Sequence, residues 1–190
     1  MNALPSSLAT ARLLLRPPQV EDAGAINDAI RESFPELNRW MDWALEVPEL
    51  EETRAFCQHA IRQRTEGSAC PMLMLDADAG TLLGASGYAR IDWNVPSFEI
   101  GYWCRTPRCG RGYVSETVET LTRYAFTSLA AHRVEIRMDD RNVRSSAVAE
   151  RLGFELEGII RRHVRDHHGH LRDTRIYALL DLAGLRTAVP

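Results

Sequence analysis

The chain has 190 residues, of which 45% are hydrophobic and 26% are charged, and its formal net charge at neutral pH is −3. This composition is typical of a folded globular protein, and the length suits a single domain over residues 1–190. The negative net charge disfavours direct binding of nucleic acid over a broad surface. No apolar stretch approaches the roughly 20 residues that a membrane-spanning helix needs.

The N-terminal segment and the cysteines indicate a compartment. The start of the chain lacks a basic stretch followed by an unbroken apolar core, so we expect no signal peptide and a cytoplasmic location. Cys57, Cys70, Cys104 and Cys109 are then expected to be reduced thiols. Cys104 and Cys109 lack C-x-x-C spacing and no second pair accompanies them, so we expect no zinc or other metal site.

The first half of the chain predicts helices followed by strands. In chain order, the predicted elements are a strand at 12–17, a helix at 20–33, a helix at 51–64 and strands at 70–76, 81–92 and 98–104. Pro35 interrupts the helical pattern, so the segment 34–44 is predicted as a short helix or a loop. The segment 76–80 has the composition of a hairpin turn and joins two of the strands.

The second half predicts helices that alternate with strands. Its elements are a helix at 113–129, a strand at 133–139, a helix that begins after Asn142 and ends before Gly153, and a hairpin with strands at 158–164 and 172–180. Asn142 suits the N-cap and Gly153 suits the left-handed position after the helix. Together with the first half, this order predicts an α+β fold with a mixed, mostly antiparallel central sheet flanked by helices.

The stretch "RCGRGY" opens the helix that begins at Tyr113. A helix N-terminus presents unpaired N–H groups and a partial positive charge, so it attracts anions. Gly110 and Gly112 allow a phosphate to approach the backbone, and Arg108 and Arg111 add positive charge. The pattern predicts either a diphosphate cradle or only a tight strand–helix turn, and it matches neither the P-loop nor the G-x-G-x-x-G fingerprint.

Two long motifs carry a family resemblance. "EIGYW", followed six residues later by "GRGYVSE", and then "NVRSSAVAERLGFELEG" resemble the GNAT superfamily of acetyl-CoA-dependent N-acetyltransferases. More narrowly, "RLLLRPPQVEDA" and "LNRWMDWA" are similar to the Rim-type branch, which acetylates the N-termini of ribosomal proteins. The resemblance covers nearly the whole chain. It implies a sheet that splays at the acetyl-CoA site, and it implies that the protein forms homodimers.

The resemblance also implies how the chain binds coenzyme A. The backbone of Trp103, Cys104 and Arg105 would bind the pantetheine arm. The pyrophosphate would be held by the backbone of Arg108, Cys109, Gly110, Arg111, Gly112, Tyr113 and Val114. One departure is Pro107, which stands where the wider superfamily prefers Gln or Arg.

Acetyl transfer to an amine requires a neutral amine, donors for the oxyanion and a proton for the departing thiolate. The tyrosine that often gives this proton in the superfamily is replaced by Ala149. In the Rim-type branch a serine follows an asparagine, so the resemblance assigns Ser145 as the proton donor and Asn142 as an anchor of the cofactor arm. The alternative is that both residues only cap the helix.

Glu99 is the candidate base, because several family members use a glutamate on this strand; the alternative is an exposed carboxylate without a catalytic role. The glutamate that the Rim-type branch carries on the C-terminal hairpin would fall at 163–164, where this chain has no carboxylate. An α-amine has a pKa about 2.5 units below that of a lysine, which lowers the cost of deprotonation by roughly 3.4 kcal/mol. A chain without an evident strong base therefore suits an α-amine.

Two further segments concern the acceptor. Trp40 and Trp43 either line the acceptor pocket or belong to the core. The segment "RRHVRDHHGH" is either the rim of a site for an acidic acceptor or RNA, or a solvated hairpin tip. Its histidines are expected to alternate between faces of the hairpin, which disfavours a metal site.

These observations predict an acetyl-CoA-dependent N-acetyltransferase that works by direct attack in a ternary complex. The predicted acceptor is the N-terminal α-amine of a protein or peptide. The alternative acceptor is a small amine, such as a polyamine, an amino acid or an aminoglycoside. An acidic pocket would favour the polycationic acceptors among these. A regulatory module that binds coenzyme A without catalysis is the alternative function.

Overall fold

The structure is a computed structural model that describes residues 3–188, so two residues at each end of the domain predicted for 1–190 lie outside it. The strands are β1 (Leu8–Ala9), β2 (Leu13–Arg16), β3 (Cys70–Asp76), β4 (Leu82–Asp92), β5 (Ser97–Cys104), β6 (Arg133–Asp139), β7 (Glu155–Arg165) and β8 (Leu171–Leu179). The helices are α1 (Ala23–Trp40), α2 (Leu50–Glu66), α3 (Tyr113–Ser128) and α4 (Val143–Arg151).

All eight strands form one sheet in the order β1-β2-β3-β4-β5-β6-β8-β7. Neighbouring strands are antiparallel except β5 and β6, which are parallel. The predicted α+β fold with a mixed, mostly antiparallel sheet is therefore confirmed. The parallel pair lies at the centre, where α3 provides the crossover connection.

The helices cover the sheet in two layers, because successive side chains of a strand point to opposite faces. On β3, Met72 and Met74 join a core with α3 and α4, whereas Leu73 and Leu75 join a second core with α1 and α2. On β5, Phe98 belongs to the α3–α4 core. Neighbouring residues of the two central strands can therefore serve opposite faces.

The prediction that Pro35 ends the first helix is wrong, since α1 continues through Pro35 to Trp40. A proline inside a helix costs about 3 kcal/mol through its missing N–H and its ring. Packing offsets this cost here, because Ser33 and Leu37 on either side of the proline are buried. The extra length brings Trp40 to the level of the β7–β8 hairpin.

The hairpin also differs from its predicted bounds. β7 begins at Glu155, ahead of the predicted residue 158, and its pairing with β8 shifts between Ile160 and Val164. Arg162 lies at this irregularity with φ +53, and its N–H donates to the Asp173 carboxylate at 2.7 Å. The short β1 was not predicted. Within residues 3–188, every helix is too short or too polar to span a membrane.

Candidate active site

A gap opens between the two central strands. β5 and β6 pair only over Ser97–Glu99 and Arg133–Glu135. Beyond these residues β5 follows β4 as far as Cys104, and β6 follows β8 as far as Asp139. The sheet therefore splays as predicted, and the facing edges of the two strands carry backbone polar groups without a strand partner.

The register of β5 determines which backbone groups face the gap. The Arg105 N–H donates to the Leu83 carbonyl of β4 at 2.8 Å. Since hydrogen-bonding direction alternates along an antiparallel strand, Trp103 is also directed to β4, while Tyr102 and Cys104 are directed to the gap. Of the three residues predicted to bind the pantetheine arm through their backbone, Cys104 alone has this orientation, and Tyr102 was missed because the strand pairing was unknown.

The Gly-Arg-Gly turn has the geometry that a diphosphate needs. Gly110 and Gly112 have φ values of +78° and +79°, in the left-handed region. A Cβ at Gly110 would meet no atom within 4 Å, so the backbone borders open space. Gly112 is the N-cap of α3 and has no side chain to cap the first N–H groups. The residues present therefore fit the phosphates of a coenzyme.

Arg12, which is distant in the sequence, contacts this turn directly and stabilises it. Its Nη1 donates to the Arg111 carbonyl at 3.0 Å, and its Nε donates to the Glu116 carboxylate at 2.7 Å. Its guanidinium also lies 4.9 Å from the centre of the Tyr113 ring. Sequence reasoning missed Arg12, because Arg12 and Glu116 are 104 residues apart and no local pattern connects them.

The other predicted residues of the turn have distinct places. The Arg105 guanidinium donates to Glu32 of α1 at 2.6 Å, so this side chain anchors the turn. The exposed Cys109 thiol donates to the Arg105 carbonyl at 3.4 Å. Arg108 lies half-buried and Val114 packs against the α3–α4 core. Arg111 is exposed.

Ser145 and Asn142 have separate roles at the start of α4. The Asn142 Oδ1 accepts a hydrogen bond from the Ser145 N–H at 3.1 Å, so the asparagine is the cap. The Ser145 hydroxyl does no capping and lies 2.8 Å from the Tyr102 hydroxyl. Ala149 is buried in the core, and the tyrosine that contacts Ser145 comes from β5 instead of α4.

Tyr102 keeps its proton at neutral pH. Burial raises the pKa of its hydroxyl to about 12, and the hydrogen bond with Ser145 acts in the opposite direction. The single phenolic hydrogen has two possible acceptors, the Ser145 hydroxyl at 2.8 Å and the Ser145 carbonyl at 3.3 Å. When this hydrogen is directed to the Ser145 hydroxyl, which is the nearer acceptor, the serine's own hydrogen is available to a third group in the gap.

Glu99 lies on the opposite face of β5 from Tyr102, beside Glu135 of β6. Its Oε2 lies 3.7 Å from the Arg137 Nε and 3.8 Å from the Arg90 Nε. Burial raises the pKa of the Glu99 carboxyl, and Arg137 opposes this shift. A glutamate with a raised pKa is a stronger proton acceptor than an exposed one.

Both predicted substrate tryptophans lie outside the two cores. The Trp43 side chain is 51% exposed, and its ring lies 6.5 Å from that of Trp103, centre to centre. Trp40 is half-buried, and the guanidinium groups of Arg39 and Arg172 lie 4.7 Å and 5.8 Å from its ring. Trp43 therefore does not match the alternative interpretation as a core residue.

A cavity of about 350 Å³ separates the end of α1 from the β7–β8 turn. Its lining includes Arg39, Trp40, Arg141, Arg172, Asp166 and three histidines of the turn. Arg141 directly precedes the α4 cap Asn142, so one wall of the cavity adjoins the start of α4. One carboxylate among three arginines makes the lining cationic.

The histidines of the turn differ from the prediction that they alternate between faces. The rings of His167 and His168 lie 4.5 Å apart, and those of His168 and His170 lie 6.3 Å apart. They come together because these residues belong to the turn, where strand alternation does not apply. Among residues 3–188, no three His, Cys, Asp or Glu side chains form a group that could hold a metal ion. At the position without the Rim-type carboxylate, His163 Nδ1 lies 3.0 Å from the Thr174 hydroxyl.

Comparisons with known proteins agree with this geometry. The profile of the acetyltransferase (GNAT) domain family matches residues 12–155. An uncharacterized N-acetyltransferase, p20 of Bacillus licheniformis, is 29% identical over 174 residues, which cover 92% of this chain and 96% of that protein. The ribosomal-protein-serine acetyltransferase of Escherichia coli (strain K12) is 29% identical over 126 residues, which cover 66% of this chain and 69% of that protein. The solved structure of RimL, a ribosomal α-N-protein acetyltransferase in complex with coenzyme A, is 25% identical with a TM-score of 0.85 and covers 91% of this chain and 96% of that one.

Proposed function

Since this chain belongs to the GNAT acetyltransferase family and uses acetyl-CoA as its co-substrate, we propose that it transfers the acetyl group to the N-terminal α-amine of a protein or peptide. The observation that carries the choice of acceptor is the cationic lining of the cavity beside the gap. Polyamines and aminoglycosides carry several positive charges at neutral pH, and such a lining repels them. A peptide N-terminus brings a single amine and a chain of variable charge.

Two relatives support this acceptor. The related protein of Escherichia coli is named for acetylation of a serine of a ribosomal protein, and RimL is named for acetylation of an α-amine. An α-amine has a pKa near 7.7–8.0, so about a tenth or more of it is neutral at pH 7 and needs only modest help from a base. Glu99, with its raised pKa, is suited to that help.

In this proposal the residues around the gap divide the proton transfers. Glu99 accepts the proton that the amine loses, on the α1–α2 face of the sheet. The Ser145 hydroxyl donates a proton to the departing thiolate, on the α3–α4 face, and Tyr102 orients it through the hydrogen bond of 2.8 Å. Ser145 then regains a proton from solvent water, and Glu99 releases its own to solvent. Bound acetyl-CoA supplies the thioester whose carbonyl carbon the amine attacks.

The backbone supports the proposed coenzyme site. We assign the pantetheine arm to the polar groups of Tyr102 and Cys104, and the pyrophosphate to the turn from Arg108 to Val114. Asn142 holds Ser145 in place by capping α4.

A homodimer and a cytoplasmic location remain part of the proposal, and the Leu156 and Ile159 side chains on the exposed edge strand β7 support the dimer. Sedimentation at several protein concentrations tests the dimer.

The experiment that tests the function is release of free thiol from acetyl-CoA in the presence of two acceptor pools. One pool contains short peptides that differ in their first residues, and the other contains polyamines, amino acids and aminoglycosides. We expect release with the peptides and blockage by prior acetylation of their α-amine. Release with the small amines alone would overturn the acceptor, and coenzyme binding without release in either pool would favour the regulatory module.

A further inference from the structure

The cavity between α1 and the β7–β8 turn has a lining that discriminates by charge. Arg172 is its buried member, with 7% of its surface exposed. Arg172 pairs with Asp139 at the end of β6, and its Nη2 donates to the Arg39 carbonyl at 3.1 Å. The guanidinium is therefore fixed in place and joins α1 to the hairpin across the cavity.

The two carboxylates near the cavity, Asp166 and Asp139, already have hydrogen-bond or ion-pair partners. Asp166 accepts hydrogen bonds from the N–H groups of His168 and His170 at 3.0 Å and 2.9 Å. Asp139 accepts hydrogen bonds from Arg141 and pairs with Arg172. Three arginines against these two carboxylates leave one positive charge.

The cavity also lies within reach of the reaction centre. Glu135, the neighbour of Glu99, and Asp139 lie on the same face of β6 and are separated by four residues, which is about 13 Å along a strand. An extended peptide advances about 3.3–3.6 Å per residue. Such a peptide, with its α-amine near Glu99, needs about four steps to cover this distance, so its fourth or fifth residue reaches the level of Asp139 and its partner Arg172.

From this geometry we infer that the cavity selects acceptor peptides with an acidic side chain at the fourth or fifth position. The carboxylate lies between Arg39 and Arg141 at the mouth, above the fixed Arg172. The ring of Trp40 supplies the apolar wall against which the neighbouring peptide residue packs. This inference rests on the proposed peptide α-amine acceptor and names the sequence that this acceptor carries.

The test uses peptides that begin with serine, are otherwise uncharged in their side chains, and carry either Asp or Asn at the fifth position. We expect kcat/KM to be about tenfold higher for the Asp peptide, the size typical of one hydrogen bond to a charged group. The double variant Arg39→Gln/Arg141→Gln should lower this ratio to below about threefold, because both cations at the mouth are lost, while the affinity for coenzyme A is unchanged. Arg172 is left intact, since its loss would leave Asp139 without its buried partner.

The matched control is Arg123→Gln, which removes an arginine of similar exposure on α3, on the other face of the sheet. It should keep the full preference for the Asp peptide. Equal kcat/KM for the two peptides with the unaltered protein would overturn the inference and leave the peptide acceptor standing. Absence of thiol release with both peptides, when small amines do react, would overturn the proposed function and the inference with it.

Discussion

The coenzyme side of the candidate site comprises the β5–β6 gap, the turn at 105–112 and the first turns of α3 and α4. On this side, the groups proposed to bind the coenzyme belong mainly to the backbone. On the acceptor side, which comprises the end of α1, the α1–α2 loop and the β7–β8 turn, they are side chains. Backbone groups are positioned by strand register and by glycines such as Gly110. Side chains such as Arg39 can change without disturbing the fold, so the two sides can vary independently.

The largest expected effect breaks the coenzyme side alone. Gly110→Val places a branched side chain at φ +78 in the open space that the proposal assigns to the pyrophosphate. Affinity for coenzyme A should fall by about 100-fold or more, which corresponds to two steps of 1.4 kcal/mol. Titration calorimetry measures this affinity directly.

Gly80→Val is the matched control for strain. Gly80 also has a positive φ, +66, and open space at its Cβ, but it lies in the turn between β3 and β4. Both variants should lose a similar stability of about 1–3 kcal/mol. Equal losses of coenzyme affinity in the two variants would mean that strain, and not the phosphate site, explains the first result.

The second prediction tests the point where the two sides meet. Ser145→Ala removes the hydroxyl but keeps the N–H that Asn142 caps, so α4 should remain intact. Turnover should fall by about 100-fold, within the range of a lost general acid, while coenzyme affinity holds. Single-turnover kinetics measure the fall, and Ser146→Ala, at a buried neighbour on the same helix, is the control that should keep full turnover.

Tyr102→Phe sharpens the same test. It removes the hydroxyl that lies 2.8 Å from Ser145 Oγ and keeps the ring in the core. A positioning role predicts a fall of about tenfold in kcat with KM unchanged, because one hydrogen bond to the serine is lost. No fall in kcat would remove Tyr102 from the catalytic arrangement and leave Ser145 to act alone.

The third prediction concerns the proposed base, Glu99, and the dependence of the rate on pH. Burial raises the pKa of Glu99, so below that pKa the carboxyl is protonated and cannot accept the proton of the amine. In the unaltered protein, kcat/KM should therefore rise with pH through a first limb above the usual range of a glutamate, and through a second near 7.7–8.0 where the peptide amine titrates. Glu99→Gln should keep only the second limb and lose about tenfold in rate.

The control for this pH profile is Glu51→Gln, which changes a glutamate of α2 whose side chain is 77% exposed. Both limbs should remain in that variant. A first limb that persists in Glu99→Gln would assign the base to another group, or to bulk water.

The contrast between the two sides also explains how much the sequence predicted. The Gly-Arg-Gly turn and the Asn142 cap depend on residues within one short stretch, so their patterns indicated them. Arg12 and Tyr102 were missed because their partners lie 104 and 43 residues away in the chain. The acceptor cavity depends on contacts such as that between Arg172 and Arg39, which are 133 residues apart. No local pattern carries such a contact.

The fold was more predictable than the site, with two instructive exceptions. Strand alternation and helical periodicity placed most elements within a few residues of their bounds, because burial of one face determines both patterns. The predicted end of α1 was wrong, since the packing of Leu37 outweighs the local effect of Pro35. The orientation of Trp103 and Arg105 toward β4 depends on the pairing of β5, which sequence alone did not provide.

The smallest expected effect concerns Asn142, and it distinguishes a structural role in capping α4 from a direct role in the reaction. Asn142→Ala removes the cap of α4 and should lower the free energy of unfolding by about 1 kcal/mol, measured by urea denaturation of the protein without coenzyme. Asn142→Asp retains an acceptor for the Ser145 N–H and should restore most of that stability. If Asn142 acts through the cap alone, turnover should recover with stability in the Asp variant. Recovered stability without recovered turnover would show that the Asn142 side chain amide also contacts the bound coenzyme, because a carboxylate offers the cap but no N–H donor.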